Sequence, residues 1–102
     1  MSDLWSTYKT VSRTANITNG ITPIWLPVSG STINVADILL ASTGEQKVQF
    51  NIENQMIGLY FISGTTIKDN FALPIHGKLN QPLIGIGSGT GVCSVRVLGF
   101  EN

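Results

Sequence analysis

The sequence predicts an all-β chain, an antiparallel β-sandwich of seven or eight short strands with a jelly-roll-like arrangement. Three observations lead there. Isoleucine appears twelve times and threonine ten times among 102 residues, and β-branched side chains suit a pleated, half-buried surface better than a helix. Eleven glycines and eight asparagines divide the chain into short pieces, as frequent turns require. No window sustains an apolar period of 3.6 residues, whereas several alternate with period two. Short strands between regular turn signals indicate a sandwich or small barrel. No segment offers a helix long enough for a parallel crossover. Cys93 is the single cysteine, so the paired-cysteine signature of an immunoglobulin-like domain is absent and a jelly roll is preferred.

Residues 1–20 read as an N-terminal arm or an irregular edge strand, and residues 21–102 as one sandwich domain. If the first segment is extended, Trp5, Thr7, Lys9, Val11 and Arg13 share a side. Ile24 to Val28 is apolar but bracketed by Pro23 and Pro27. It reads as an edge strand, because proline cannot donate to a ladder. The turn Ser29-Gly30-Ser31 follows. Val35 to Leu40 carries a weak helical signal behind Asn34, but its composition favours a strand or a single turn.

Lys47 to Asn54 alternates cleanly, with Val48, Phe50 and Ile52 opposite Gln49, Asn51 and Glu53. After the polar break at Glu53-Asn54-Gln55, Ile57 to Ser63 carries Leu59 and Phe61 on one side and Tyr60 and Ile62 on the other. A strand apolar on both faces is either central or part of an interface. Ser63-Gly64 and Lys68-Asp69-Asn70 look like turns. Phe71 to Ile75 contains Pro74 and reads as an edge strand or irregular crossing. Leu79 to Ile86 is interrupted by Pro82 and Gly85. Gly87 to Gly91 reads as a turn joining it to a final strand, Val92 to Gly99, in hairpin fashion. That strand turns Cys93, Val95 and Val97 inward.

Catalytic chemistry finds little footing. His76 is the one histidine, too few for a zinc site, which takes three or four ligands. The carboxylates Asp3, Asp37, Glu45, Glu53, Asp69 and Glu101 fall in no distinctive motif. Cys93 reads as a buried core thiol with no activating base beside it. Gly85 to Gly91 lacks the lysine and the following helix of a phosphate loop. No enzyme and no cofactor are expected. Six basic residues balance six acidic ones, and the basic ones are scattered, which argues against a nucleic-acid partner. Apolar runs extend over about five residues, against the roughly 18 that span a bilayer as a helix, so no membrane partner is expected. The opening residues lack the apolar core of a signal peptide.

Only 12% of residues are charged, about half the ordinary share. Low charge with zero net charge favours association. Leu59, Tyr60, Phe61 and Ile62 are the expected oligomer-packing residues, as one pair or the other. Trp5, Tyr8 and Trp25 are the expected partner contacts.

Three stretches together carry a resemblance: Phe71-Ala72-Leu73-Pro74-Ile75-His76-Gly77, then Leu79-Asn80-Gln81-Pro82-Leu83-Ile84, then Val92 to Glu101 after the glycine-rich segment. Over residues 47–101 the chain resembles the small β-sandwich structural proteins of tailed-phage particles, including capsid decoration (cement) proteins. The resemblance implies a homotrimer on the outside of a virion that clamps the major capsid protein or another virion protein. It also implies assembly in the host cytoplasm, with no catalytic residues. The competing reading is a carbohydrate- or receptor-binding module of a tail or fibre, stacking a sugar on Trp25 or Tyr60.

Overall fold

A computed structural model describes residues 9–102, and every described regular element is a strand. The strands are β1 (Val11–Ile17), β2 (Gly20–Trp25), β3 (Thr32–Ser42), β4 (Glu45–Ile52), β5 (Gln55–Ser63), β6 (Thr66–Leu79), β7 (Leu83–Gly89) and β8 (Cys93–Glu101). They form two four-stranded antiparallel sheets. The first has the order β1-β8-β3-β6 and the second β2-β7-β4-β5. Strand one pairs with eight, two with seven, three with six and four with five. That nesting is a jelly roll: a long antiparallel ribbon wrapped so that alternate strand pairs fall in opposite sheets.

The central strand β3 shows why its segment resembled a helix. Val35 pairs with Gly99 and Asp37 with Leu98, so a β-bulge at Ala36 adds one residue. The bulge restores Ile38 and Leu40 to the core beside Ile33 and Val35. Buried residues therefore recur at a spacing of three across the bulge, which imitates helical period in a strand. A second bulge in β2, between Pro23 and Trp25, lets Ile24 and Trp25 both turn inward.

Several local expectations change. The glycine-rich segment does not close a hairpin, because β7 lies in the second sheet and β8 in the first. It turns a corner instead. Thr90 and Gly91 both donate their N–H groups to the Glu45 carbonyl, and Thr43 N–H bonds the Val92 carbonyl. A hairpin and a corner ask for the same small residues, so the local sequence does not separate them. Among the described residues, β4 and β5 alone are both consecutive and paired, through a tight turn in which Glu53 adopts φ 57°. Lys68 to Asn70 lies inside β6 rather than in a turn, and β5 is an edge strand rather than a central one. Pro74 does sit on an edge strand. Between the pairs Val35–Ile75 and Asp37–Asn70, β6 uses five steps where β3 uses two, so the proline falls where the ladder is already broken.

The core holds Trp25, Ile33, Val35, Ile38, Leu40, Val48, Phe50, Ile52, Leu83, Cys93, Val95 and Val97 with Ile17 at one side. Ile17 ends β1, and the chain then crosses to the other sheet against β7. A Cβ on Gly87 would collide with the Thr18 carbonyl oxygen, and one on Gly85 with the Ile17 side chain. Beyond Leu83 the inner surface of β7 is thus bare, and the crossing lies on it. Gly87→Ala should cost about 3 kcal/mol, at the upper end for overpacking because backbone must move. Urea unfolding checks this. Loss of less than about 0.5 kcal/mol, the size of a neutral surface change, would contradict it.

Candidate protein interface on one sheet face

The register places the solvent-facing residues of the second sheet in three cross-strand rows. One row is Pro23, Ile84, Asn51 and Met56; the next is Ile21, Ile86, Gln49 and Leu59; the third is Ser88, Lys47 and Phe61. Directly paired residues share a face. The result is an outer surface with apolar flanks on β2, β7 and β5 and a polar centre on β4. Phe61 is 70% exposed, Ile21 68% and Met56 52%. Within the polar centre, Gln49 Nε2 donates to Asn51 Oδ1 at 2.9 Å.

The first sheet presents a different surface. Its rows are Ser12, Leu98, Asp37 and Asn70; then Thr14, Arg96, Leu39 and Lys68; then Asn16, Ser94, Ala41 and Thr66. Hydroxyls, amides and charges dominate there, as on an ordinary wet sheet face. The contrast between the two outer faces is the main asymmetry of the molecule.

The expected packing residues divide across β5. Leu59 and Phe61 face outward, whereas Ile62 is buried and Tyr60 packs on the core. The Tyr60 ring meets Phe50 edge-on at 5.7 Å, and its hydroxyl donates to Asp69 Oδ2 at 2.6 Å across the gap between the sheets. Burial, then the Asp69 hydrogen bond and its negative charge, push the phenol well above its ordinary pKa. Trp25 is corrected: it is 1% exposed, so it offers no contact surface and no sugar platform. Its Nε1–H donates to Glu101 Oε2 at 2.8 Å, and the Arg13 guanidinium lies 5.9 Å from its ring. Trp5 and Tyr8 lie outside the described residues.

The chemistry-bearing residues serve structure. His76 Nδ1 faces Asn34 Oδ1 at 2.6 Å, while Asn34 Nδ2 donates to the Thr32 carbonyl and to Asn102 Oδ1. That assignment makes the imidazole nitrogen the donor. Cys93 is fully buried, and burial raises its thiol pKa. Among the described residues, no three of His, Cys, Asp and Glu gather where they would hold a metal ion.

The exposed Ile21 and Met56, and the half-buried Ile84 and Ile86 on the outer side of β7, were not anticipated on this face. In Leu83 to Gly87 the isoleucines alternate with glycines, a pattern that ordinarily turns the isoleucines inward. The structure does the reverse, because the inner side of β7 is taken by the chain crossing.

No family model matches the chain, and no curated protein matches it. Solved structures do. A chain in the acidic stable capsid structure of Helicobacter pylori bacteriophage KHP30 aligns with a TM-score of 0.62 and 15% identity, over 93% of this chain and 94% of that one. The nucleoplasmin-like N-terminal domain of Drosophila FKBP39 aligns with a TM-score of 0.53 and 11% identity, over 98% and 94%. At such identities the likeness is one of fold. The chain is a small β-sandwich that resembles a chain of a phage capsid.

Two predictions follow from the titrating groups. Cys93 should react with a thiol reagent at neutral pH at least roughly tenfold more slowly in the native protein than in urea; equal rates would place it at the surface. Stability should fall as pH rises through about 8.5–10, because the unfolded chain releases thiol and phenol protons that the folded chain retains. Tyr60→Phe lowers stability at neutral pH by about 1 kcal/mol through the lost hydrogen bond, but flattens the alkaline decline. Urea unfolding across that range checks both, and an unchanged alkaline slope would contradict the Tyr60 assignment.

Proposed function

We propose that this chain is a non-enzymatic structural protein of a virion, which decorates or stabilises a capsid through protein–protein contacts. The observation that carries the reading is the apolar, nearly neutral outer face of one sheet opposite an ordinary polar face on the other. A face of that kind is a liability on a free monomer and an asset in an assembly. Low overall charge supports the same reading, as does a fold likeness to a capsid chain that spans nearly the full length of both. The major capsid protein or a neighbouring virion protein is the partner, and the particle assembled in the host cytoplasm is the location. The resemblance to decoration proteins implies a homotrimer. This reading keeps the homotrimer together with the shell partner. Burial of Trp25 removes one of the two rings on which the carbohydrate alternative rested, and the other, Tyr60, is half-buried against Phe50 with its hydroxyl held by Asp69.

Attachment to the shell falls to the N-terminal segment around Trp5 and Tyr8. The boundary at residue 20 has to be moved for any test of this. β1 pairs with β8 from Val11 to Ile17, and Ile17 is fully buried. Deleting residues 1–20 would therefore strip a strand from the first sheet, whereas deleting residues 1–8 leaves every described strand in place.

The test is co-sedimentation of the purified full chain with capsids of its own particle from which it has been stripped. Saturable, stoichiometric binding is expected; no binding at any concentration overturns the reading. Deleting residues 1–8 should weaken binding by tenfold or more, roughly 1.4 kcal/mol, with the urea midpoint unchanged. Equal loading by the shortened chain would refute the arm while leaving the capsid reading intact.

A further inference from the structure

The chain passes from β1 to β2 through two residues, Thr18 and Asn19. Both are tied to β7. The Thr18 carbonyl oxygen lies against Gly87 with no room for a Cβ, and Asn19 Oδ1 accepts the Gly89 N–H at 2.9 Å. Asn19 itself is exposed. The next residue, Gly20, has φ 102° and open space where a Cβ would stand. Of the eight asparagines in the chain, Asn19 is the one followed by glycine. Asn16, Asn34, Asn51 and Asn70 lie within strands, each followed by a β-branched or aromatic residue.

We propose that Asn19 is a site of self-modification: it loses its side-chain amide by intramolecular deamidation, and the rearranged product loosens the crossing between the two sheets. Hydroxide takes the Gly20 N–H proton, and that nitrogen attacks Asn19 Cγ. A C–N bond forms and closes a five-membered ring. The Cγ–Nδ2 bond breaks, and ammonia leaves with a proton from water. Water then opens the succinimide at one of its two carbonyls. Cleavage between Cγ and the Gly20 nitrogen gives aspartate. Cleavage at the Asn19 backbone carbonyl gives isoaspartate, whose main chain runs through Cβ and Cγ. The net exchange is an amide and water for an acid and ammonia, with no oxidation or reduction.

Two features place the reaction at this residue. Ring closure joins groups that are already tethered, and glycine leaves the attacking nitrogen unscreened by a side chain. The Gly89 N–H is also bonded to the oxygen on which negative charge gathers as the nitrogen adds, so it stabilises that charge.

The two products act differently on the fold. Aspartate keeps the backbone, and its carboxylate accepts the Gly89 N–H as the amide oxygen did. Isoaspartate adds a carbon to the main chain between Thr18 and Gly20. The crossing has no slack for it, because Thr18 is pinned against Gly87 and Gly20 enters the ladder opposite that same residue. Relief comes by lifting Thr18 off Gly87 or by freeing the start of β2, and either opens the core beside Ile17. The modification stands apart from the virion reading and belongs to the isolated chain.

The test is incubation of the folded full chain in mildly alkaline buffer, then peptide mapping that separates aspartyl from isoaspartyl forms. Asn19 should convert at least roughly tenfold faster than any other asparagine, a barrier difference of about 1.4 kcal/mol. The isoaspartyl chains should unfold at lower urea concentration than unmodified ones. Asn19→Asp, which carries the charge without the added carbon, should unfold with the unmodified chain. Asn19→Gln would have to close a larger ring and should abolish conversion at this position. Conversion in the urea-unfolded chain but not in the folded one overturns the site, since the fold then shields it. Conversion spread evenly over several asparagines overturns the selection of Asn19. An isoaspartyl chain as stable as the unmodified one overturns the claim that the crossing is loosened, and an equal loss in Asn19→Asp traces the effect to charge and overturns the lengthening account.

Discussion

The structure depends on one close approach. Where the chain leaves β1 and crosses to the second sheet, its backbone at Thr18 lies against Gly87 with no room for a Cβ. A sandwich core must be filled from both sheets at native density, and here Ile17 fills it from the crossing rather than from a strand of the second sheet. Because Ile17 projects over Gly85 and Gly87, β7 contributes almost no side-chain volume inward beyond Leu83. The same strand has to place its large residues somewhere, and by alternation Ile84 and Ile86 go outside. The apolar exterior of the second sheet thus follows partly from how the core of the sandwich is filled.

Few charges are available, and two carboxylates close the open sides of the sandwich by bonding between the sheets. On one side, Glu101 of β8 accepts from the Trp25 indole at 2.8 Å and from the Val28 N–H at 2.8 Å. One carboxylate so joins the first sheet to the end of β2 and to the loop beyond. Hydrogen bonds to a charged acceptor are worth about 1.5–3 kcal/mol each when their partners are shielded. On the other side, Asp69 of β6 receives the Tyr60 hydroxyl of β5. Tyr60 also covers Gly58, whose added Cβ would press on the ring. These two clasps, with the packed core, hold two sheets that share no backbone ladder.

What distinguishes the two outer faces is not composition alone. Each sheet alternates inward and outward residues, as any sandwich does. In the first sheet the outward set is serine, threonine, asparagine, lysine and arginine with occasional leucine. In the second it is isoleucine, proline, methionine, leucine and phenylalanine around a strand of polar residues. A low charge fraction spread evenly would have left two indifferent faces. Gathering the hydroxyls on one side and the large apolar side chains on the other gives the molecule a wet face and a face suited to protein contact.

By itself, the sequence determined what local chemistry controls. Period two in Lys47 to Asn54, the β-branched content and the frequent glycines specified strands. Their number and the single cysteine pointed to a jelly roll, and Pro74 marked an edge. Val48, Phe50, Ile52, Cys93, Val95 and Val97 were legible as core because both neighbours in the pleat agreed. Everything that needed a non-local partner was decided only in the tertiary structure. Trp25 read as a contact and is buried, because a bulge rotates it inward to reach Glu101, 76 residues away. The doubly apolar β5 gave no sign of which side faced water; pairing with β4 sent Leu59 and Phe61 outward. The alternation of isoleucine with glycine in β7 was inverted by a backbone crossing over it. A strand's own residues set its period, but its inward side is chosen by whatever packs on that side, and here that is the chain between β1 and β2.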